Sequence, residues 1–549
     1  MRKNLRRFVA IVAAATMVTS FTACSNKKST TDNEKPQETT QEGTQAPEES
    51  KGIKFPLAEA ATLSIVTSAE ATSTQDPDEK IIYQRIQEET NVDVDWTCYI
   101  KDQFIDKRNL LLAKGDGLPD IILNAEMGTL DLLKYGKQGL IVPVEDLIEQ
   151  YMPNLKKVLD ENPSYRKLIT APDGHIYSFP WIEQLGVGKE AIQAIGGMPF
   201  INKDWLDQLG LEMPTTTQEL ETVLAAFKEK IPNSIPMSFR INGGNEDLGF
   251  ILGSFGYGDN PDHIMVDESN KVFYSLTDEG YKEGITWLHS LQQKGLIDPE
   301  AFTQDWATLV AKGKEDRYGL YFGWDNLGVP GTAKSYVPMP ALKGPSGEAN
   351  APRQSGTADG GFQAGKAVIT SSCEKLELAA KWVDLMYAPV QSVQNNWGTY
   401  GEEGKDNIFE LKDDGTLSHK PLDSLSVSPW EARCAQMVSG PLAVLNSYYG
   451  TYTTCPPDAL ERMEFVKGYV ADMKYDMLYP NIFMTQEDSE LLAQYETGIK
   501  QYAEQMKATW ILKGGIEKEW DGYLKKLDQL GLQKYIAIKQ KYLDAYLSE

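Results

Sequence analysis

The sequence predicts an α/β fold built as two lobes, and three observations carry that expectation. Between residues 61 and 123, apolar strand-like runs alternate with helical stretches, the order that builds a parallel sheet with helices on its faces. Roughly 490 of the 549 residues remain once a leader and a polar leash are set aside, too many for one hydrophobic core. No apolar run beyond residue 18 approaches the about 20 residues that a membrane-spanning helix needs.

The elements follow in order. Residues 61–68 (ATLSIVTS) are apolar and β-branched between polar flanks, which predicts a strand. Ile81, Ile82, Arg85, Ile86 and Glu89 recur at helical spacing within 78–90, and 92–100 (VDVDWTCYI) alternates as a strand does. A helix is predicted over 104–114, closed by Gly115 and Gly117, and a short buried strand over 118–123 (LPDIIL). A second region starts near Ile201. Thr216 with Glu219 three residues on forms a capping-box pattern opening a helix that runs to about Lys230. Thr277 is expected to open a helix ending at Gly295, and Ser371 with Glu374 to cap another whose apolar face is Leu376, Ala379, Ala380, Val383 and Leu385/Met386. That helix stops before Pro389. From Glu487 on, three helical segments are broken at Gly514-Gly515 and Gly531, with Leu, Ile and Tyr at packing intervals.

The N-terminus predicts export. Arg2, Lys3, Arg6 and Arg7 precede a short apolar run, 8–18 (FVAIVAAATMV), which is signal-like in length and flanks. Phe21-Thr22-Ala23-Cys24 resembles a bacterial lipobox with phenylalanine in the usual leucine place. The resemblance implies a signal over 1–23 and lipidation of Cys24. Residues 25–52 contain no aromatic and almost nothing apolar, so they cannot bury enough surface to offset the entropy of ordering. A flexible leash of about 30 residues reaches roughly 30 Å. The lipidated cysteine and linker are placed at 24–55 and the folded body at 56–549, anchored to the outer face of the cell membrane by lipid and not by a helix.

A net charge of −25 excludes a general nucleic-acid binder, which needs a basic footprint. Beyond Cys24, the cysteines are Cys98, Cys373, Cys434 and Cys455, with no close pair and only four histidines in the chain, so zinc-ligand spacing is absent. Cys434 and Cys455 are either bridged or free; spacing does not decide.

Four collinear stretches are similar to the extracellular solute-binding proteins of family 1, in the lipoprotein branch associated with oligosaccharide uptake. They are 111–123 (LLAKGDGLPDIIL); 139–180, with Tyr151-Met152-Pro153-Asn154 and 173–180 (DGHIYSFP); 201–216 continuing to 281–284 and 295–300 (GLIDPE); and the C-terminal run 514–549. The resemblance implies a periplasmic-binding-protein-like fold with an inter-lobe cleft and hinge. Lobe 1 is expected to hold about 56–180 plus 360–400, and lobe 2 about 181–359 plus 401–549. It implies capture of a carbohydrate as a monomer, docking on separate ABC importer permease subunits, and no cofactor. Some members carry a calcium loop after the helix matching 217–230. Here the stretch 228–236 (KEKIPNSIP) has no carboxylate after Glu229, and calcium needs several, so no metal is expected.

In open α/β sheets ligands bind beyond the carboxyl ends of the strands, which nominates Ser68, Glu70, Asn124 and Glu126. Sugars present flat C–H faces and a rim of hydroxyls, matched by aromatic rings and by Asp, Glu, Asn or Arg. Trp181 follows a strand predicted at 177–180, Trp324 with Asp325 follows one at 318–322, and Trp397, Tyr400 and Glu402 lie in a Gly-rich stretch. These, with Arg353, complete the candidate set. Trp205, Trp287 and Trp382 sit on helical faces and are expected in the core, whereas at least one of Tyr448 and Tyr449 is expected exposed, over the cleft. Two rival classes share these features: an exported glycoside hydrolase, needing paired carboxylates, and a binder of peptides or other non-sugar solutes. No G-x-S-x-G or H-E-x-x-H motif is present.

Overall fold

The computed structural model describes residues 52–71, 73–331, 335–353, 361–475 and 478–548. The expected signal, Cys24 and nearly all of the leash lie outside the described residues. Numbered along the chain, the strands are β1 (Ala61–Ala69), β2 (Val92–Ile100), β3 (Ile121–Met127), β4 (Phe179–Glu183) and β5 (Met198–Asn202). They continue as β6 (Ile235–Met237), β7 (Ile264–Val266), β8 (Val272–Tyr274), β9 (Tyr318–Gly323) and β10 (Tyr336–Pro338). The last four are β11 (Gly361–Ile369), β12 (Phe409–Leu411), β13 (Leu417–His419) and β14 (Leu442–Val444).

Two sheets organise two lobes. The first runs β14-β4-β11-β3-β1-β2. Within it β1 is parallel to β2 and β3, as the strand–helix alternation predicts, while β11 runs antiparallel to its neighbours β3 and β4. The second runs β10-β5-β9-β6. Two hairpins, β7–β8 and β12–β13, lie outside them.

The first core gathers Leu63, Ile65, Ile121, Leu123, Phe179, Ile182, Trp382 and Val383 around the first sheet. The second sheet is packed by two clusters, one with Ile201, Leu320 and Phe322 and the other with Phe200, Tyr318 and Tyr321. Each such fully buried side chain contributes about 1.5–3 kcal/mol. The C-terminal helices Gln486–Lys513, Ile516–Gln529 and Leu532–Ser548 cover the second lobe through Trp510, Trp520, Tyr523 and Leu543. The last break needs glycine twice over. Gly531 has φ +102°, and a Cβ there would stand 2.4 Å from the Tyr495 ring.

Local signals succeed unevenly. Thr216 caps the helix Thr217–Lys230 by accepting the Glu219 N–H at 3.1 Å, a cap worth about 1 kcal/mol. The helix expected from Thr277 is instead capped by Asp278 and runs Glu279–Gln293. The Ser371–Glu374 cap does not form: Ser371 is held by its N–H on the Leu140 carbonyl, and the helix starts later, as Leu376–Leu385, with Lys375 at its N-cap and no side-chain cap. Trp205 and Trp382 are buried and Trp287 is partly buried against the second core.

The chain passes between the lobes three times. Residues 184–197 lead from β4 to β5, the chain after β10 is back in the first sheet at β11, and the helix Pro457–Tyr469 carries Ala459 in the first core and Val466 and Tyr469 in the cluster beneath β5 and β9. The lobe limits set at 181 and 401 therefore shift. β4, with residues 181–183, pairs with β11 and β14, and Phe409, Leu417, Ala432 and Leu442 pack into the first core. The physical reason is β14: it completes the first sheet by pairing Leu442 with Trp181.

Candidate ligand-binding cleft

β4 presents Trp181 and Glu183 on one face, since residues two apart along a strand point the same way. Trp181 thus lies within the strand and not after it. Gly361, opposite Glu183 in register, makes room for the indole: a Cβ there would lie 2.7 Å from the Trp181 ring. The indole N–H donates to Asn396 Oδ1 at 3.1 Å, and the Asn396 amide donates to Glu183 Oε1 at 2.8 Å. Gln193, on the first crossing, donates to Glu183 Oε2 at 3.0 Å. Burial pushes the Glu183 carboxyl up, and those two amides oppose it.

Trp397 ends the helix Pro389–Trp397 instead of sitting in a loop. Over its ring, at 4.8 Å from the centroid, lies the Arg433 guanidinium. Arg433 comes from the helix Pro429–Gln436, opened by a capping box between Ser428 and Glu431. Its two terminal nitrogens donate to the two oxygens of Asp458, each at 2.7 Å. Burial alone would raise Asp458, but the Arg433 charge and hydrogen bonds hold it below the usual carboxylate range. Tyr449 stands beside Glu183, Trp397 and Arg433, its phenol raised by burial. Among the described residues Arg433 Nε has no hydrogen-bond partner, and Trp397 Nε1 and Tyr449 Oη have at most each other. Buried donors are rarely left so, and these are of the kind that sugar oxygens accept.

The second lobe contributes Trp324 and Asp325, directly after β9. Trp324 packs against the first-lobe core although its strand belongs to the second. Asp325 turns one carboxylate oxygen back to the N–H groups of Leu327 and Gly328, at 2.8 and 2.6 Å, so it shapes the loop that carries Trp324. Burial raises its carboxyl. Arg462, on the crossing helix, lies 3.3 Å over the Trp324 ring centroid.

Trp181 and Trp397 thus share one buried polar network, and Trp324 adjoins it where the lobes join, its neighbour Asp325 lying within charge range of Asp458, Arg462 and Arg433. Glu183, Asn396, Arg433, Tyr449, Asp458 and Arg462 complete it; none was in the candidate set, and of the tyrosine pair expected to expose at least one member, Tyr448 is buried and Tyr449 half-buried. A signal existed for Arg462. Ala459, Arg462, Val466 and Tyr469 recur at three- and four-residue spacing, which puts a charge on an apolar stripe.

Other candidates go elsewhere. Asn124 is a fastener inside the first lobe, bonded to Thr67 Oγ1, the Val438 carbonyl and the Gly440 N–H. Glu70 pairs with Lys101 at 2.6 Å and Glu126 with Lys366 at 2.5 Å, beside half-buried Ser68 at the ends of β1 and β3. Tyr400 lies under Arg85, 4.2 Å from its ring centroid, and the Glu402 backbone is tied to the Asn407 side chain, and no contact joins either to the tryptophans. Arg353 is half-buried beside Ala351 of the second-lobe cluster. Among the described residues no group of three or more His, Cys, Asp or Glu side chains is placed to hold a metal ion, and Cys98, Cys373, Cys434 and Cys455 are free thiols. In the last turn of the helix Thr217–Lys230, Lys228 donates to the Lys294 carbonyl at 2.6 Å.

Indole faces beside carboxylates, amides and a guanidinium suit a neutral, hydroxyl-rich ligand. Comparison with known proteins agrees in kind. The sequence model of the family described as bacterial extracellular solute-binding protein matches residues 71–392. The fructooligosaccharide ABC transporter substrate-binding protein FusA of Streptococcus pneumoniae serotype 4 is 50% identical over 504 residues, 90% of this chain and 92% of that protein. The solved structure of S. pneumoniae FusA in complex with kestose superposes with a TM-score of 0.86 at 49% identity, covering 89% of this chain and 99% of that one. A solved HMO-binding, ABC-transporter-associated solute-binding protein from Bifidobacterium longum infantis follows at 0.74 and 25% identity, over 89% and 99%.

Proposed function

Because the chain belongs to the bacterial extracellular solute-binding proteins, we propose that it is the extracytoplasmic capture component of an ABC importer, closing its cleft on an oligosaccharide of the fructooligosaccharide class. The observation that carries this reading is the placing of Trp181 and Trp397 on the Glu183–Arg433–Asp458 network, with Trp324 of the other lobe adjoining it. The relative that binds such sugars shares half its residues over nearly the whole length.

The mechanism follows from the arrangement. With the lobes apart, Trp181, Trp397, Glu183 and Arg433 are offered by the first lobe, and Trp324 by the second. A sugar bridging both is bound more tightly by the closed form, and that difference in affinity drives closure. Glu183 accepts from hydroxyls, and the donors of Trp397, Tyr449 and Arg433 meet ring and hydroxyl oxygens. Delivery needs permease subunits that recognise the closed form. A lipid on Cys24 and the polar leash keep the monomer near them.

Capture without turnover distinguishes this reading from a hydrolase. Asp458 is committed to Arg433 and Glu183 to two amides, which suits holding a sugar better than attacking it. The test is thermal unfolding of the purified protein against kestose, nystose, other neutral and uronic oligosaccharides, and peptides. A ligand at ~100 times its Kd adds roughly 2.7 kcal/mol. A shift with kestose and nystose and no released product supports the reading. A shift with peptides alone, or free fructose accumulating, overturns it.

A further inference from the structure

Arg462 is almost wholly buried, at 1% exposure, and makes no ion pair among the described residues that matches the Arg433–Asp458 pair. Its donors go to main-chain carbonyls. Nε donates to Ile192 at 3.1 Å, Nη2 to Gly196 at 2.9 Å and also to Ile195, and Nη1 to Trp324. Four of the five N–H groups of a guanidinium are thereby used.

The carbonyls belong to two places that matter for capture. Ile192 packs in the first-lobe core and Ile195 in the second-lobe cluster, so the segment between them is where the first crossing changes lobes. Arg462 itself lies midway along the other crossing, between Ala459 in the first core and Val466 in the second-lobe cluster. One side chain therefore fastens two inter-lobe connections to each other. The next residue, Gly197, fixes the segment on the second lobe's side: a Cβ there would lie 1.7 Å from the Asn245 carbonyl oxygen. The second place is Trp324, whose carbonyl Arg462 binds and whose ring it covers from one face, while part of the indole stays accessible.

We propose that Arg462 is a positioning residue for ligand capture, holding Trp324 as a sugar platform and locking it to the two crossings, so that affinity depends on a side chain that does not touch the sugar. The ligand half of this inference rests on the function proposed above. Lysine is a poor replacement, since a single ammonium cannot reach carbonyls spread around a planar fork or stack on an indole as guanidinium does.

The experiment is a double-mutant cycle of R462K and W324A, read by calorimetric titration with kestose. R462K is expected to weaken binding about tenfold in the parent and less than twofold when Trp324 is already absent. A ligand-free readout runs alongside: acrylamide quenching of Trp324, taken as the difference between proteins with and without W324F, is expected to rise in R462K. R462Q, which keeps two amide donors, is the second variant should R462K fail to fold, with the same outcomes. A lowered Tm with kestose affinity and Trp324 quenching unchanged would make Arg462 merely structural and overturn the proposal. If the parent binds no kestose, the functional reading fails, and quenching still decides the positioning: raised quenching upholds it, unchanged quenching sinks it.

Discussion

Arg433 holds Asp458 through two parallel hydrogen bonds of 2.7 Å, with both side chains about nine-tenths buried. Taking two charges out of water is repaid only while both are present. D458N therefore leaves the Arg433 cation uncompensated over Trp397. We expect a loss of about 3–5 kcal/mol in urea unfolding together with weaker kestose binding. The pair R433M/D458N should recover stability and not affinity. A D458N midpoint equal to the parent's would show the pair to be idle.

Glu183 separates stability from binding. Burial raises its carboxyl above the unfolded value of about 4.3. The sign follows from linkage: a raised carboxyl contributes stability that is full below the unfolded pKa and is lost as pH rises through the folded one. Above the folded value the ionised side chain is a burden on the fold, kept for its acceptors. E183Q is expected to raise the Tm by a few degrees at pH 7, to flatten the stability–pH curve above about pH 4.3, and to weaken kestose binding about tenfold. A variant that loses Tm at pH 7 contradicts this.

These residues show what the sequence could and could not disclose. β1, β2 and β3 were legible because their alternation and β-branched runs are local, and Gly514, Gly515 and Gly531 mark the C-terminal breaks for the same reason. Trp181, Trp324 and Trp397 were legible as a chemical type, since each has polar neighbours in sequence. Arg433 and Asp458 were not: in PWEARCAQ and PDALERMEFVKGY they look like ordinary charges on short helices. What buries them is the return of β14 to pair with β4, a contact across some 260 residues that no local pattern encodes. Tyr400 and Glu402 misled for the converse reason. Their neighbourhood resembles a sugar-binding loop, but Arg85, far away in sequence, takes up both the ring and the carbonyl of Tyr400.

Closure has an electrostatic component. Lys314, at the end of the second-lobe helix Trp306–Lys314, lies 2.9 Å from Glu431 of the first-lobe helix that bears Arg433. One partner stands on each lobe, so separation of the lobes breaks the pair. Both side chains are more than a third exposed, which limits the pair to about 0–1 kcal/mol. K314E should weaken kestose binding about threefold at low salt, K314E/E431Q, which keeps a capping side chain at 431, should recover most of it, and the difference should vanish near 1 M salt. An equal loss at both salt concentrations would mean that K314E acts by damaging its helix and not through the charge pair.

Two histidines set opposite limits on stability with pH. His419 is held down to about 3 by burial and by the nearby Arg433 charge. A depressed histidine contributes stability that is present above the unfolded value of about 6.5 and lost as pH falls toward the folded one. His263 behaves in reverse. Burial would lower it, but Asp259, 2.9 Å from Nδ1, and Glu504, 3.6 Å from Nε2, raise it overall. Its contribution is full below about 6.5 and lost as pH rises through the raised value. The two act in different places, His419 beside the Arg433–Asp458 pair and His263 where residues 259–275 meet the helix Gln486–Lys513. H419Q is therefore expected to recover about 1–2 kcal/mol of the stability lost between pH 7 and pH 5. H263Q should lose stability at pH 6 and show a smaller further decline above pH 7. Urea unfolding at pH 5, 6, 7 and 8 reads both, and an H419Q curve parallel to the parent's would remove His419 as the acid-side determinant.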